Sequence, residues 1–492
     1  MKESNRSLTM MSEQSIKTKT IKGTFWSAAD AFLGQGVTFL LGIVLARMLS
    51  PVEYGLIGIV LIFTVILSGV VDCGFSNALI RKKDTTDKDY NTMFITNLAI
   101  SIVMFLLLYL SAPFIAQFFC REELVGLCRV MGLILIIQAL SIVQATILTK
   151  LIDFKTKTKA SLISAIVSGV VGIGMAYTDF GVWALVGQQI SRNLFYSIVL
   201  LVLVRWYPKL SFSFDSFHYM WGFGWKLMLS GLLNNIWNQL YQVVVGKFYS
   251  PATLGQYTRS KEYANIFSTN LTTIIQRVSF PALAEVQNDT QRMVFAYRKI
   301  IKVTMFFTAL CMITIGAIAE PLIFCLIGPQ WGEAASYLPL ICLSMVLYPL
   351  HSINLNMLQI QGRSDIFLEL EIIKKIIAVV PLLLGIFLNI YLMLWGVIAT
   401  GVLSFFLNSY YTGKKLNYSS WMQLKDVSAS FAVSFMVALS IFFFKYLPLS
   451  YWLILPLQLL FGSMVFLAIC EKIRIEEYLE IKLIIKNVLK EI

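Results

Sequence analysis

Charge is what this sequence has least of. Asp, Glu, Lys and Arg make up 14% of its 492 residues, where a soluble chain carries about a quarter. Hydrophobic residues make up 58% and the mean hydropathy is +0.75, which excludes a soluble globular enzyme. Histidine is nearly missing. The two present, His218 and His351, stand far apart and have no cysteine or carboxylate at ligand spacing, so no metal site is expected. No glycine-rich loop ends in Lys-Ser or Lys-Thr, so ATP is not expected as a ligand. The seven cysteines (73, 120, 128, 311, 325, 342 and 470) show no CxxC spacing and read as small apolar fillers. Cys120 and Cys128, flanking an outer loop, are the one pair placed for a disulfide. The first 22 residues are polar and basic with no apolar core, so no cleavable signal peptide is expected.

In place of charge there are long apolar runs. Fourteen are read, at 24–46, 55–76, 91–112, 124–148, 160–178, 182–204, 221–246, 255–276, 300–322, 336–360, 367–388, 391–412, 427–446 and 451–470. Each is long enough to cross a hydrocarbon core of about 30 Å as a helix. The alternation of a membrane barrel is absent, so the expected fold is all-α and polytopic. The net charge of +13 is then explained by the excess of Lys and Arg in cytoplasmic loops, without nucleic acid. With the N-terminus inside, 28 Lys and Arg fall in cytoplasmic segments and four (Arg47, Arg121, Lys247 and Lys445) at external ones. Both termini are therefore expected in the cytoplasm. The tail from Glu471 spaces Ile473, Leu479, Leu483, Ile484 and Leu489 as an amphipathic surface helix would.

One short pattern occurs twice. Ser50-Pro51-Val52-Glu53-Tyr54-Gly55 is echoed by Ser250-Pro251-Ala252-Thr253-Leu254-Gly255, with Arg47 and Lys247 at the same offset. Upstream, Gly23-Thr24-Phe25-Trp26 is matched by Gly222-Phe223-Gly224-Trp225. The copies follow spans 1 and 7, six helices apart, so they cross in the same sense as parallel repeats. The expected layout is a cytoplasmic segment (1–22), a first lobe (23–204), a cytoplasmic linker (205–220), a second lobe (221–412), two extra helices (413–470) and a cytoplasmic tail (471–492). Two such bundles about a central cavity form a transporter architecture.

The 6 + 6 + 2 layout, the segment Ala46-Arg47-Met48-Leu49-Ser50-Pro51 followed by Glu53-Tyr54-Gly55, and Gly74-Phe75-Ser76-Asn77-Ala78-Leu79-Ile80 resemble the polysaccharide flippases of the MOP exporter superfamily. The resemblance covers nearly the whole chain and is similar to the branch handling lipopolysaccharide, colanic-acid-type and exopolysaccharide or capsule repeat units. It implies two V-shaped lobes in a bacterial inner membrane. It also implies transport of undecaprenyl-diphosphate-linked oligosaccharides by alternating access, beside polymerase or glycosyltransferase partners. No cofactor is implied beyond H⁺ or Na⁺ coupling.

Intramembrane polar residues are costly and so mark function. In span 7, Lys226, Ser230, Asn234 and Asn238 recur every four residues and Gln242 continues the row. Such a stripe lines a wet cavity or bonds a neighbouring helix. Span 8 carries Arg259, Lys261 and Glu262 where its repeat partner is apolar. Arg259 and Lys261 are cavity cations in this reading, and pairing of one with Glu262 is the structural alternative. Gln35 in span 1, Arg129 in span 4 and Arg192 in span 6 complete the substrate-binding set. Asp30, a counter-charge for Lys226, together with Glu262 and Asp72 are the acids suited to ion coupling. A diphosphate calls for such cations and the sugars for amides, hydroxyls and the rings of Trp237, Tyr241, Tyr257 and Tyr263. Glu371 and Lys375 are spaced for an i,i+4 ion pair. No enzyme chemistry emerges. The alternatives are a cation-coupled multidrug antiporter of the same fold, which favours an acidic cavity, and an integral-membrane polymerase or ligase, which needs larger external loops.

Overall fold

The computed structural model describes residues 34–286, 289–479 and 482. The described residues are helical, with no strand among them. In order, the first helices are α1 (Gln35–Met48), α2 (Pro51–Val71), α3 (Phe75–Arg81), α4 (Asp87–Phe119), α5 (Leu124–Met131) and α6 (Leu133–Lys150). Then come α7 (Phe154–Tyr177), α8 (Val182–Val204), α9 (Phe214–Phe248) and α10 (Pro251–Glu285). They are followed by α11 (Thr290–Ala317), α12 (Ala319–Ile327), α13 (Gly332–Met345), α14 (Tyr348–Ile360) and α15 (Ser364–Ile377). The last are α16 (Val379–Phe387), α17 (Ile390–Leu416), α18 (Ser420–Phe442) and α19 (Tyr451–Ile473).

Among the described residues, nine helical stretches are long and apolar enough to cross a membrane. Their outer faces carry large apolar side chains in the open, such as Leu106, Leu110 and Phe114 on α4 and Leu453, Leu460 and Leu467 on α19. Arrays of this size are untenable in water and expected against lipid. The chain is a multi-pass membrane protein. The helices α8, α9 and α10 are as long but carry too many polar residues to join the nine. The first half of the span read at 24–46, with Asp30, lies outside the described residues. So does the amphipathic pattern beyond Leu479, Lys482 apart.

Several runs read as single spans are broken helices. Gly132 separates α5 from α6, Ile318 separates α11 from α12, and Ala378 separates α15 from α16. Pro321 in the first turn of α12 and Pro381 in the first turn of α16 remove a backbone donor and crowd the preceding turn, which favours the second and third of these breaks. Between α2 and α3 the chain turns through Cys73 (φ 50°) and Gly74 (φ 71°). Asp72 accepts from Ser76 N at 3.2 Å and Ser76 Oγ at 2.6 Å, closing that turn.

The packed units run through Gly255 and from Gln256 onward. In the first, α8 packs on α7 and α6, α4 on α6, and α9 on α2, α3 and α4. Its core gathers Phe75, Leu79, Met93, Val143 and Met220. The approach of α9 to α3 is closest at two glycines. A Cβ on Gly74 would sit 2.6 Å from Gly224 O, and one on Gly224 2.4 Å from Cys73 O. Lys150 Nζ donates to Lys82 O (2.5 Å), Thr85 Oγ1 (2.9 Å) and Leu79 O (3.2 Å), tying the α3–α4 turn to α6. Lys82 pairs with the buried Asp89 at 2.7 Å. Lys82 and Lys150 thus hold this turn in place.

In the second unit α11 packs on α18, α17 on α16, α13 and α14, and α19 on α18 and α12. Its core is built on Tyr297, Met305, Leu350, Met357, Phe405 and Tyr418. A buried polar network crosses it. Asn354 Oδ1 accepts from Tyr297 OH (2.7 Å), Thr412 Oγ1 (2.7 Å) and Gln423 Nε2 (3.3 Å), linking α11, α14, α17 and α18. Beside it Asp426 accepts from Arg298 Nε and Nη2, both at 2.8 Å, and from Tyr418 OH at 2.7 Å. Burial, and then the Asp426 carboxylate, push the Tyr418 phenol above its ordinary range. All seven cysteines are free. Cys120 and Cys128 are not bridged, and Cys120 alone is exposed.

Asn354→Leu leaves the buried Tyr297 hydroxyl and Gln423 amide without their acceptor, while Thr412 keeps Asn408 O, and is expected to cost about 1–3 kcal/mol. Unfolding of the purified protein in detergent reads this directly, and wild-type stability would show the network to be dispensable.

Candidate functional site

The polar row of span 7 lies on α9, a helix of 35 residues begun by Ser213, whose side chain accepts from Ser216 N. Ser216, Met220, Gly224, Val244, Val245 and Gly246 are its buried positions. Lys226, Ser230, Asn234 and Asn238 are all exposed, and Gln242 is half-buried where the row reaches the packed end. Among the described residues the row is thus a string of exposed polar positions. Lys226 Nζ stands 5.9 Å from the centroid of the Trp225 ring. The same helix also exposes Leu229 and Leu233. One face is thus suited to lipid and another is costly there. Asn235, which the four-residue spacing passes over, is half-buried against α2, where a Cβ on Gly69 would lie 2.5 Å from its Nδ2.

The polar residues of span 8 have a different fate. On α10, Gln256 Nε2 donates to Gln330 O at 2.8 Å and its Oε1 accepts from Ala334 N at 2.9 Å. Ser260 Oγ donates to Ala334 O at 2.8 Å and Ser268 Oγ to Met345 O at 3.1 Å. These side chains bind α10 to α13 and the turn before it. Arg259, 8% exposed, meets Glu262 at 2.6 Å, which is the structural alternative for this pair. Lys261 is half-buried. Tyr257 and Tyr263 are buried, whereas Trp237 and Tyr241 are half-buried.

The other predicted residues are dispersed. Arg129 lies on α5 with its guanidinium 4.5 Å from the centroid of the Tyr109 ring, a cation–π contact, and its buried Nε makes no hydrogen bond. Arg192 is half-buried on α8, a helix that packs against α5. Gln35 opens α1. Of the acids weighed for ion coupling, Glu262 is held by Arg259 and Asp72 by Ser76. Asp30 is outside the described residues. The pair expected between Glu371 and Lys375 forms instead between Glu371 and Lys374, because i+3 as well as i+4 lies on the same side of a helix. Among the described residues no cluster of His, Cys, Asp and Glu is arranged to hold a metal.

A second polar set, on α6 and α8, escaped the sequence reading. Gln138 Nε2 donates to Asn193 Oδ1 at 3.2 Å, and Asn193 Nδ2 to Gln189 O at 2.8 Å. The available signal was the pairing of Gln188 with Arg192 and Gln189 with Asn193 at i,i+4. Their half-burial in the first unit makes them a polar patch of a helical bundle.

The profile of a family described as polysaccharide biosynthesis protein matches residues 44–336. The chain is 27% identical over 330 residues to the succinoglycan biosynthesis transport protein ExoT of Rhizobium meliloti (strain 1021), covering 67% of each. It is 24% identical over 356 residues to the teichuronic acid biosynthesis protein TuaB of Bacillus subtilis (strain 168), covering 72% of this chain and 73% of that one. Among solved structures, the lipid II flippase MurJ in an inward closed conformation superposes with a TM-score of 0.67 at 16% identity, over 91% of this chain and 97% of that one. At that identity the likeness is one of fold.

The two faces of α9 are separable by chemistry. In a background with Cys120→Ser, Asn234→Cys and Asn238→Cys are expected to react with a charged, membrane-impermeant thiol reagent at least about tenfold faster than Leu229→Cys and Leu233→Cys, since thiolate formation needs water. Equal rates would show that the polar row is no wetter than the leucines.

Proposed function

We propose that this chain, which belongs to the polysaccharide biosynthesis protein family, moves lipid-linked oligosaccharides from the inner to the outer leaflet of the bacterial cytoplasmic membrane. The observation that carries the reading is the open polar row of α9. Among the described residues a Lys, a Ser and two Asn are exposed along one helix of a membrane protein. Carrying a diphosphate and several sugars through hydrocarbon unaided is prohibitive, because every hydroxyl and each charge loses its water. A path that offers one cation for the phosphates and a run of amides and hydroxyls for the sugars replaces that water stepwise. The polyprenyl tail has no such need and stays in lipid.

The architecture adopted in this reading is the finer one drawn from the sequence. It has fourteen spans, two parallel six-helix repeats working by alternating access, two additional helices and cytoplasmic termini. The substrate class is an undecaprenyl-diphosphate-linked repeat unit for a surface polysaccharide, delivered by glycosyltransferases and consumed by a polymerase. The chain acts by binding and conformational change and not by bond chemistry. In support, the relatives ExoT and TuaB carry names of polysaccharide biosynthesis. The charge of the row also argues against an organic-cation antiporter, since Lys226 would repel such a cargo. Arg259 is assigned a supporting part, because its charge is spent on Glu262.

Lys226→Ala should lower export of surface polysaccharide about tenfold, the loss of one charge-assisted hydrogen bond of about 1.5 kcal/mol or more, with normal amounts of protein in the membrane. Lys226→Arg should retain most export. A strain lacking the protein should accumulate lipid-linked repeat units on the cytoplasmic leaflet. An unchanged glycan profile in that strain would overturn the reading.

A further inference from the structure

A cavity of about 540 Å³ opens in the second unit beside the start of α11, a size within the range of small-molecule sites, about 300–1,000 Å³. One face of α11 forms its main wall. The pairs Val294 and Phe295, Arg298 and Lys299, and Lys302 and Val303 follow one another four residues apart, so they stack on one side of the helix. The end of α17 at Leu416 closes a second side. The third side comes from the chain beyond α19. There Arg474 takes a left-handed turn (φ 54°) and Ile475 enters the core formed by Phe306, Val433 and Val437. That turn sets Glu476 and Glu477 against α11, with carboxylate oxygens 3.2 and 3.8 Å from Lys302 Nζ. Glu476 is exposed, whereas Glu477 is buried. Arg298 is held by Asp426 of α18 at 2.8 Å.

We propose that this cavity seats the head of a membrane phospholipid that carries both a phosphate and a primary ammonium, a phosphatidylethanolamine. It is a second ligand site, made by residues other than those of α9. From the transport reading it takes only which end of the helices faces the cytoplasm. Charge sets the choice of lipid. Asp426 balances Arg298, which leaves Lys299 and Lys302 with Glu476 and Glu477 on the walls, two of each sign. A head with a phosphate alone gains the lysines but also meets both carboxylates, one of them buried. A choline head carries both signs but has no N–H to give a carboxylate. An ethanolamine ammonium has three such donors, as a lysine does, and its phosphate accepts from Lys and Arg. Val294, Phe295 and Val303 give the glycerol and the first chain carbons an apolar wall. The ion pairs are not needed as a lock for the chain end, since exposed pairs hold little and Ile475 already anchors it. The level in the membrane also fits. Trp421, exposed at the start of the helix that carries Asp426, is a side chain of the lipid–water boundary, and the stems of Lys299 and Lys302 can reach the phosphates there.

The test places the full chain in nanodiscs of equal parts phosphatidylethanolamine, phosphatidylcholine and phosphatidylglycerol. The protein is then extracted into mild detergent and the retained lipid is counted by native mass spectrometry. Phosphatidylethanolamine should be kept at least about fivefold over each of the others, the scale of one charge-assisted hydrogen bond. Glu477→Gln should erase its lead over phosphatidylcholine, and Lys302→Gln should lower retention of all three. Glu476→Gln, at an exposed position, reads the same carboxylate pair without touching a buried residue and should reduce the lead as well. Equal retention of the three lipids by the unaltered chain, or a lead for phosphatidylglycerol, would overturn the site. So would a phosphatidylethanolamine lead that neither Glu substitution changes. Lys226→Ala should leave the retained lipid as it is, which keeps the two readings apart. If phosphatidylethanolamine keeps its lead while the strain lacking the protein keeps its glycan profile, the lipid site stands and the cargo assignment falls.

Discussion

A polar group carried into hydrocarbon has to be given a partner, and that requirement governs nearly everything in this structure. Backbone groups meet it by forming helices throughout the described residues. Side chains meet it in two ways. Most are spent inside the protein, as when Asn354 gathers Tyr297, Thr412 and Gln423 across four helices. Among the described residues a few on α9, such as Asn234 and Asn238, are exposed instead.

The contrast between α9 and α10 follows from this accounting. By composition α10 is the more unusual helix, with Arg, Lys, Glu and Gln along a stretch that follows the same Ser-Pro-x-x-x-Gly pattern as the apolar α2. Yet Gln256, Ser260 and Ser268 are consumed by backbone groups of the neighbouring α13 segment, and Arg259 by Glu262. The row on α9 is plainer in composition but open along four successive turns. A polar residue that already has its partner holds a helix in place. One without a cover has free energy left to offer a passing substrate.

Glycine serves a related end by removing bulk where backbones must meet. Gly74 and Gly224 bring α3 and α9 together, and Gly74 also takes the left-handed turn at the end of α2. Gly55 and Gly255 do the same for the first turns of α2 and α10. Such close approaches gain van der Waals contact that any larger side chain would forfeit.

The all-helical class, the membrane setting and the positions of most helices were legible in the sequence because lipid imposes a length and a polarity that few residues can evade. The breaks at Gly132, Ile318 and Ala378 were not, since an apolar run looks the same whether one helix or two carry it. The recurrence of Ser-Pro-x-x-x-Gly was legible as well, but not that Gly55 and Gly255 lie against each other's prolines. Nor did spacing reveal that Glu371 takes Lys374 or that Arg259 is bound to Glu262 while Lys226 stands open. Spacing states which residues share a helix face. What covers that face depends on residues far away in the chain, so only the tertiary structure decided which of the described polar groups are bonded within the protein and which are exposed.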